Sequence, residues 1–276
     1  MTWNGEELDI DAYLARLGHT GETEPDLETL RTLHREHVAA IPFENLEMML
    51  GRTVPLDLPA LQDKLLRRRR GGYCYEQNLL FAAALERIGF DVAGLGARVR
   101  AGATSTRAVT HMLLRVQVDG QAWHCDTGFG ADGLLEPIPL RAGAEMQQGE
   151  WRYSLHQEDE DEGVLVLRTW RPGEGWFELY AYTQERRLPV DYVVMNHYTS
   201  THPRSSFIRR PVLQKAGSEV RRTLVGDRLT LTRPDGTADE RSVPVGELMS
   251  VLDREFGIEL DAEDSAELIR VHYAGA

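Results

Sequence analysis

The stretch RRRRGGYCYEQN, residues 67–78, places a single cysteine where it could act as a nucleophile. Cys74 is one of two cysteines in the chain, follows Gly71 and Gly72, and stands at the predicted start of a helix. Glycines let the backbone turn sharply and approach a substrate closely, and a helix N-terminus favours the reactive thiolate. Its N–H groups could also hold a developing oxyanion. Free cysteines are also often buried and inert, so this stretch alone leaves both interpretations open.

A nucleophilic cysteine needs a base, and the base needs an orienting acceptor. Residues 111–128 read as a hairpin, in which Asp119–Gly120 forms a two-residue turn and Val118 faces Gln121. In that register His111 and Asp126 lie on one face as diagonal neighbours on adjacent strands, roughly 7–8 Å apart. The spacing therefore predicts a His–Asp pair, and a turn one residue longer would remove it.

The same register decides between the two neighbours of the pair. His124 falls on the face of His111 and Asp126, whereas Cys125 points to the other face. We therefore expect Cys125 to be a packed small hydrophobe.

Two further histidines lie on one helix. His34 and His37 share an arc with Leu30, Leu33 and Val38, which favours core histidines satisfied by hydrogen bonds. No third ligand has zinc-site spacing, and the other histidines are scattered, so no metal is expected.

The elements that position these residues divide the chain into three predicted domains. Residues 1–89 read as helical: Gly18 ends a first helix, Asp26 caps a second, IPFENLEMM is a connector, and LPALQDKLLRRRR is a helix stopped by the glycines. A helix from about Cys74 ends at Gly89.

From about residue 90 the apolar period switches to two. Residues 90–195 are therefore predicted as a β domain, with QEDEDEG as a solvated hairpin tip. Residues 196–276 are predicted as a mixed α/β domain. It begins with a polar loop, NHYTSTHPRSSF, and continues with a strand pair around Pro234–Gly236 and the helix VGELMSVLDREF.

Composition limits the classes of function. The chain has 276 residues, a hydrophobic share of 42% and a net charge of −13, which argues against a nucleic-acid or anionic-membrane surface. The N-terminus MTWNGEELDI lacks a signal-peptide layout, and no run of eighteen apolar residues occurs, so we expect a cytoplasmic protein with no membrane partner. Two cysteines without CxxC spacing should remain free thiols there.

The motifs RGGYCYEQN, THMLL and DTGFG occur in that order, after LHREHVAAIPFENLEMM and before NHYTSTHPRSSF. In this combination the chain resembles the arylamine N-acetyltransferase family, from its first helices to about residue 210. Thr127 stands where the family often has valine, a tolerable change. The resemblance implies an α+β fold: an N-terminal helical bundle, a central β-barrel and a C-terminal α/β lid, with a Cys-His-Asp triad in the interdomain cleft.

The resemblance also implies the chemistry. Cys74, His111 and Asp126 would form the triad, and an acetyl group would pass from acetyl-coenzyme A, the co-substrate, to an arylamine or hydrazine through an acetyl-cysteine. Phe129 and Phe207 match positions that line the acceptor pocket. The positions near the coenzyme are Thr110 and Gly130. A monomer or homodimer is expected.

The arginines near Cys74 and His111 are expected to have different roles. Arg70 would pair with Glu44 of PFEN and support the active-site loop. Arg67, Arg68 and Arg69 read mostly as a solvated helix end. The coenzyme's phosphates need local positive charge, for which the candidates are Arg98, Arg100 and Arg107.

Three alternatives stay open. An amide synthase of the same fold, releasing or cyclising a polyketide chain, would need no coenzyme A pocket. A cysteine peptidase is compatible with the chemistry. A catalytically silent binding module is disfavoured by the intact triad.

Overall fold

The computed structural model describes residues 2–273 and has an α+β fold. Its first third is helical, with one short strand, β1 (Phe43–Glu44). The helices are α1 (Ile10–Leu17), α2 (Leu27–Ala40), α3 (Leu46–Met49), α4 (Leu58–Leu61) and α5 (Cys74–Ile88). A 3₁₀ turn (Gly5–Glu7) precedes α1, and a π-helical turn (Gln62–Arg67) extends α4.

The helix ends follow the local signals. Asp26 accepts a hydrogen bond of 2.8 Å from the N–H of Thr29, and Gly18 and Gly89 end α1 and α5 in the left-handed region, as predicted. The prediction that the glycines of RRRRGG stop the preceding helix is wrong. The π-helical turn ends at Arg67, and Arg69 already has a φ of +52°, so the chain leaves the helix before Gly71.

An eight-stranded antiparallel sheet forms a nearly closed barrel. Its strands are β2 (Asp91–Val99), β3 (His111–Val118), β4 (Gln121–Cys125), β5 (Ile138–Pro139), β6 (Glu145–Gln148), β7 (Trp151–Asp159), β8 (Val164–Arg171) and β9 (Gly175–Tyr182). Their order in space is β5-β4-β3-β2-β9-β8-β7-β6. The acidic stretch QEDEDEG forms the tip of the β7–β8 hairpin, as predicted.

The hairpin of β3 and β4 has the predicted register. Val118 pairs with Gln121 and Leu114 with Cys125. Asp119 and Gly120 have φ values of +50° and +76°, the left-handed pair that a two-residue turn of this kind requires. His111 and Asp126 consequently share a face.

The last third contains helix α6 (Pro189–Thr201), strands β10 (Val212–Lys215), β11 (Arg221–Val225), β12 (Arg228–Thr232) and β13 (Ala238–Ser242), and helices α7 (Leu248–Val251) and α8 (Ala262–His272). A π-helical turn (Leu252–Phe256) extends α7. The second sheet has the order β1-β10-β11-β12-β13, so a strand of the helical third joins the C-terminal sheet. The predicted strand pair around Pro234–Gly236 and the predicted helix after it are present.

The prediction that residues 196–207 form a polar loop is wrong for the first half of the segment. Helix α6 runs to Thr201 and crosses the predicted domain boundary at residues 195 and 196. Its polar side chains are compatible with a helix because they turn back to the carbonyls one turn earlier. Thr199 donates to the carbonyl of Met195 at 2.9 Å, and Ser200 donates to that of Asn196 at 2.7 Å.

Two apolar cores hold the parts together. One face of β3, with Met112, Leu114 and Val116, packs against the apolar face of α5, with Leu80 and Leu85. The opposite face lines the barrel interior around Leu113. Because β3 and α5 share one core, the start of α5 is held against the start of β3.

Candidate active site

The loop before α5 is pressed against the PFEN segment. Gly72 donates to the carbonyl of Pro42 at 3.2 Å and accepts from the N–H of Glu44 at 3.1 Å. A Cβ atom on Gly71 would lie 2.2 Å from the oxygen of Pro42. Glycine is therefore required here because two backbone segments lie very close together. From the sequence, the glycines were instead expected to let the backbone approach a substrate.

Buried ion pairs fix the same loop. Arg70 donates to Glu44 at 2.8 Å, the predicted pair, and both side chains are buried. Lys64 donates to Glu76 at 2.7 Å, and Glu76 accepts the N–H of Tyr73 at 3.0 Å. These two buried ion pairs hold the residues that precede Cys74 in place.

Three predicted residues meet where α5 begins beside β3. Nε2 of His111 lies 2.7 Å from Oδ2 of Asp126, and the side chain of His111 also interacts with that of Cys74. The Sγ atom of Cys74 lies 3.9 Å from the carbonyl oxygen of Thr110. All three side chains are buried, so a charge transferred between them is shielded from water.

Asp126 is held on both oxygens. Oδ2 also accepts the hydroxyl of Tyr180 at 2.7 Å. Oδ1 accepts from Nδ2 of Asn78 and from the N–H of Gly128, both at 3.0 Å. A carboxylate with four donors is fixed in orientation and stays ionised.

The charges of the pair stabilise each other. Burial alone would lower the pKa of His111, but the negative charge and hydrogen bond of Asp126 and the contact with Cys74 raise it well above its usual value. Burial alone would raise the pKa of Asp126, but His111 and the donors Tyr180 and Asn78 lower it. The arrangement favours an imidazolium beside a carboxylate, which is the state that stabilises a neighbouring thiolate.

The two predicted pocket phenylalanines lie on different sides of the site. Phe129 contacts His111 edge to face, with ring centroids 5.2 Å apart. Phe207 contacts Tyr73 and Phe43, at centroid distances of 6.2 and 5.7 Å. The structure therefore brings Phe129 to His111 and Phe207 to Tyr73, the residue before Cys74.

The two residues predicted to lie near the coenzyme also occupy different parts of the site. Thr110 contacts Cys74 through its carbonyl, as described above. Gly130, with a φ of +98°, packs against Gln214 of β10, whose Oε1 lies 1.9 Å from where a Cβ atom would be. Gly130 thus joins the barrel to the C-terminal sheet.

Among the arginines proposed for phosphate binding, Arg100 differs from the other two. It pairs with Glu158 at 2.5 Å and with Glu178 at 3.0 Å, so its charge is offset. Arg98 donates to the carbonyl of Arg107 at 2.8 Å, and both side chains are exposed. Those two retain positive charge for an anion.

The arginines before Gly71 are mostly paired or solvated. Arg67 approaches Asp63 at 3.4 Å, and Arg68 donates to Glu47 at 3.0 Å. Arg69 is exposed.

The helix α2 histidines are core residues, as predicted. His34 lies 3.0 Å from the carbonyl of Leu135 through Nδ1 and accepts the N–H of Asp126 at Nε2. His37 lies 2.9 Å from the hydroxyl of Tyr13. Within residues 2–273, no group of three or more histidine, cysteine or acidic side chains could hold a metal ion. Over the same range, no helix is long and apolar enough to cross a membrane.

Two residues of the site were missed in the sequence. Asn78 lies one helical turn after Cys74, and this spacing was a usable signal. Tyr180 had no local signal, because β9 reaches the site only through its pairing with β2 and through a bulge opposite Leu167 and Arg168.

Comparison with known proteins identifies the family. A family model described as N-acetyltransferase matches residues 26–265. The arylamine N-acetyltransferase of Mycolicibacterium smegmatis is 37% identical over 261 residues, which cover 92% of this chain and 93% of that protein. The chain belongs to the arylamine N-acetyltransferase family.

Solved structures of the family have the same fold. The arylamine N-acetyltransferase of Nocardia farcinica superposes with a TM-score of 0.92 at 48% identity, covering 97% of this chain and 95% of that one. The Mycobacterium marinum arylamine N-acetyltransferase in complex with CoA gives a TM-score of 0.87 at 32% identity, covering 96% and 100%. The resemblance inferred from the motifs is confirmed, and with it the predicted class of enzyme, an acetyl-coenzyme A-dependent acyltransferase.

Proposed function

We propose that this protein transfers an acetyl group from acetyl-coenzyme A to an arylamine or arylhydrazine by a ping-pong mechanism, with Cys74, His111 and Asp126 as the catalytic triad. The observation that carries the proposal is the buried chain from Cys74 through His111 to Asp126, closed by a 2.7 Å hydrogen bond. A cysteine, a base and an orienting acceptor in that order are the requirements of nucleophilic acyl transfer.

In the first half-reaction Cys74 attacks the thioester. Its thiol proton goes to His111, and the thiolate attacks the carbonyl carbon of acetyl-coenzyme A. Backbone N–H groups near the start of α5 stabilise the oxyanion. The carbon–sulfur bond to the coenzyme then breaks, and His111 returns its proton to the leaving thiolate. Free coenzyme A and acetyl-Cys74 result.

In the second half-reaction an amine attacks acetyl-Cys74. His111 takes a proton from the amine nitrogen and returns it to the Cys74 sulfur as the amide is released. Asp126 holds the imidazole in one orientation and stabilises its positive form in both steps. Weakly basic arylamines suit this step because they remain neutral and nucleophilic near pH 7.

The acceptor pocket is proposed between the two aromatic walls. Phe129 packs on the catalytic imidazole and Phe207 on Tyr73, next to the nucleophile. Aromatic side chains on both sides of a thioester favour a flat ring.

For the coenzyme we propose contacts with Thr110, Gly130, Arg98 near the end of β2 and Arg107 in the loop between β2 and β3. The two exposed arginines precede His111 and keep their charge, which suits the phosphates.

We also propose three domains meeting at this cleft, residues 1–89, 90–195 and 196–276, with α6 running from the second into the third and the third acting as a lid. The packing of β10 on Gly130 and of Phe207 on Tyr73 supports that contact. A cytoplasmic location and a monomeric or homodimeric state complete the proposal. Two free cysteines suit a reducing compartment.

The deciding experiment is intact-protein mass measurement after incubation with acetyl-coenzyme A and no amine. One acetyl group should appear, peptide mapping should place it on Cys74, and an added arylamine should remove it. The initial rates should give parallel double-reciprocal plots.

Two variants control this experiment. Cys74→Ala should take up no acetyl group, whereas Cys125→Ala should be acetylated like the wild type, because Cys125 is fully buried and burial raises the pKa of its thiol. Folded wild-type protein whose Cys74 reacts with iodoacetamide but forms no acetyl adduct would refute acetyl transfer and favour the amide-synthase alternative.

A further inference from the structure

A chain of hydrogen bonds continues from the triad into the barrel. The hydroxyl of Tyr180 lies 2.7 Å from Oδ2 of Asp126. Nε2 of His124 lies 2.8 Å from the same hydroxyl, and Nδ1 of His124 lies 2.5 Å from the hydroxyl of Tyr182. These four side chains are buried. His124 lies on β4, Asp126 directly follows that strand, and the two tyrosines lie on β9, which is not a neighbour of β4 in the barrel.

The position of each hydrogen follows by elimination. The carboxylate of Asp126 only accepts, so Tyr180 must donate its single hydroxyl hydrogen to it, and the Tyr180 oxygen can then only accept from His124. Nε2 of His124 therefore carries a hydrogen. Burial lowers the pKa of His124 to about 3, so the ring is neutral and Nδ1 carries none. Tyr182 must donate to Nδ1.

We propose that His124 and Tyr182 are positioning residues, which keep the Tyr180 hydroxyl directed at Asp126 and so keep His111 aligned with Cys74. This inference rests on the triad proposed above. Three hydrogens point in series toward one carboxylate oxygen, and hydrogen bonds in such a chain polarise and strengthen one another in a buried site.

The competing arrangement shows why Tyr182 matters. If His124 carried its hydrogen on Nδ1, its bare Nε2 would accept the Tyr180 hydrogen, and Oδ2 of Asp126 would lose a donor. In that tautomer Tyr182 would accept from Nδ1, and its own hydroxyl hydrogen, buried and with no other acceptor among the described residues, would be left unpaired. Without the Tyr182 hydroxyl the two tautomers become closer in free energy, and Tyr180 can turn away from Asp126.

A double-mutant cycle tests this connection. Tyr182→Phe should slow the single-turnover acetylation of Cys74 at saturating acetyl-coenzyme A by about 3- to 10-fold, the effect of one buried hydrogen bond. The KM for acetyl-coenzyme A should not change. In a Tyr180→Phe background the same substitution should have almost no further effect, because the hydroxyl that connects His124 to Asp126 is already absent.

Tyr153→Phe is the matched control. Tyr153 is another buried tyrosine of the barrel, and its hydroxyl donates to the carbonyl of Gly133 at 2.6 Å. This variant should lose thermal stability but keep the wild-type acetylation rate. Equal slowing by Tyr182→Phe in both backgrounds would mean that Tyr182 acts through general packing and would overturn the proposal.

The tautomer of His124 is a second, independent measurement. ¹⁵N NMR of histidine-labelled protein, assigned with His124→Gln, should show the hydrogen on Nε2 in the wild type and a shift toward Nδ1 in Tyr182→Phe. A hydrogen on Nδ1 in the wild type would overturn the proposed chain of hydrogen bonds. This measurement needs no turnover. Failure to form acetyl-Cys74 would therefore count against the proposed function, while NMR would still test the chain of hydrogen bonds.

Discussion

Gly128 lies directly against Cys74, the proposed nucleophile: a Cβ atom on Gly128 would be 2.6 Å from the Cα of Cys74. The segment that carries Asp126 and the helix that carries Cys74 are therefore in backbone contact. The N–H of Gly128 also donates to Oδ1 of Asp126 at 3.0 Å. One glycine thus sets the distance between the two ends of the proposed triad.

Gly128→Ala should lower kcat by tenfold or more, because the added methyl must push the strand end away from α5, and misplacement by about 1 Å can cost roughly 10²-fold in rate. The measurement is steady-state kinetics together with thermal unfolding. Gly246→Ala is the control, since a Cβ atom there meets nothing within 4 Å, and it should behave as the wild type. Wild-type kinetics in Gly128→Ala would show that the close contact does not set the triad geometry.

Asp126→Asn should lower kcat by roughly 10²- to 10⁴-fold, because the amide cannot stabilise the imidazolium and disturbs its tautomer. Asp119→Asn, in the turn of the same hairpin, is the matched control. Asparagine tolerates the left-handed conformation of Asp119, so that variant should keep full activity. Near-normal turnover in Asp126→Asn would refute the orienting role.

Arg70→Gln should lower the free energy of unfolding by about 3–5 kcal/mol, because Glu44 would keep a buried charge without its closest partner. Arg67→Gln should change it by less than about 1 kcal/mol, since the Arg67 pair with Asp63 is solvent-exposed. Urea unfolding at pH 7 measures both. Equal small effects would show that Lys64, which lies 3.7 Å from Glu44, suffices to hold that carboxylate.

Stability should fall as the pH falls from about 6.5 toward 4. Burial lowers the pKa of His34 to about 4 and those of His37 and His124 to about 3. In this window the unfolded chain binds protons that the folded protein does not, which costs up to about 1.4 kcal/mol per pH unit for each histidine.

The sign is opposite for His111. Asp126 keeps the pKa of His111 raised in the folded protein, so its contribution is complete below about pH 6.5 and is lost as the pH rises through the raised value. Urea unfolding across pH 4.5–9 should therefore show a maximum near neutrality.

A pair of variants isolates one histidine of the acid limb. His37→Gln should reduce the acid slope by about one proton, whereas His156→Gln, at an exposed site, should not. A flat profile between pH 6.5 and 4.5 would contradict the burial of neutral histidines.

Much of the fold and the proposed triad could be predicted from the sequence, because the signals are local. Asp26 begins a helix through its side chain, and Gly89 ends one through its backbone preference. A two-residue turn at Asp119–Gly120 determines the register, and the register alone puts His111 and Asp126 on one face.

Local signals were misleading at two places in the chain. The polar residues of the Asn196–Thr201 segment read as a loop, but their hydroxyls bond back within α6. Gly71 reads as a flexible approach to substrate, whereas the backbone of Pro42 occupies the space. The first error concerns contacts within the helix itself, and only the second concerns a partner from a distant segment.

The surroundings of the proposed triad were decided by tertiary structure alone. Tyr180 and Tyr182 reach Asp126 and His124 because β9 pairs with β2 across the barrel, at a separation of more than fifty residues from β4. Strand pairing at that distance depends on the summed burial of both barrel faces and on a bulge in β9, and neither is encoded in the residues near the site. Sequence therefore determined which residues can carry the chemistry, and packing determined which groups hold them in place.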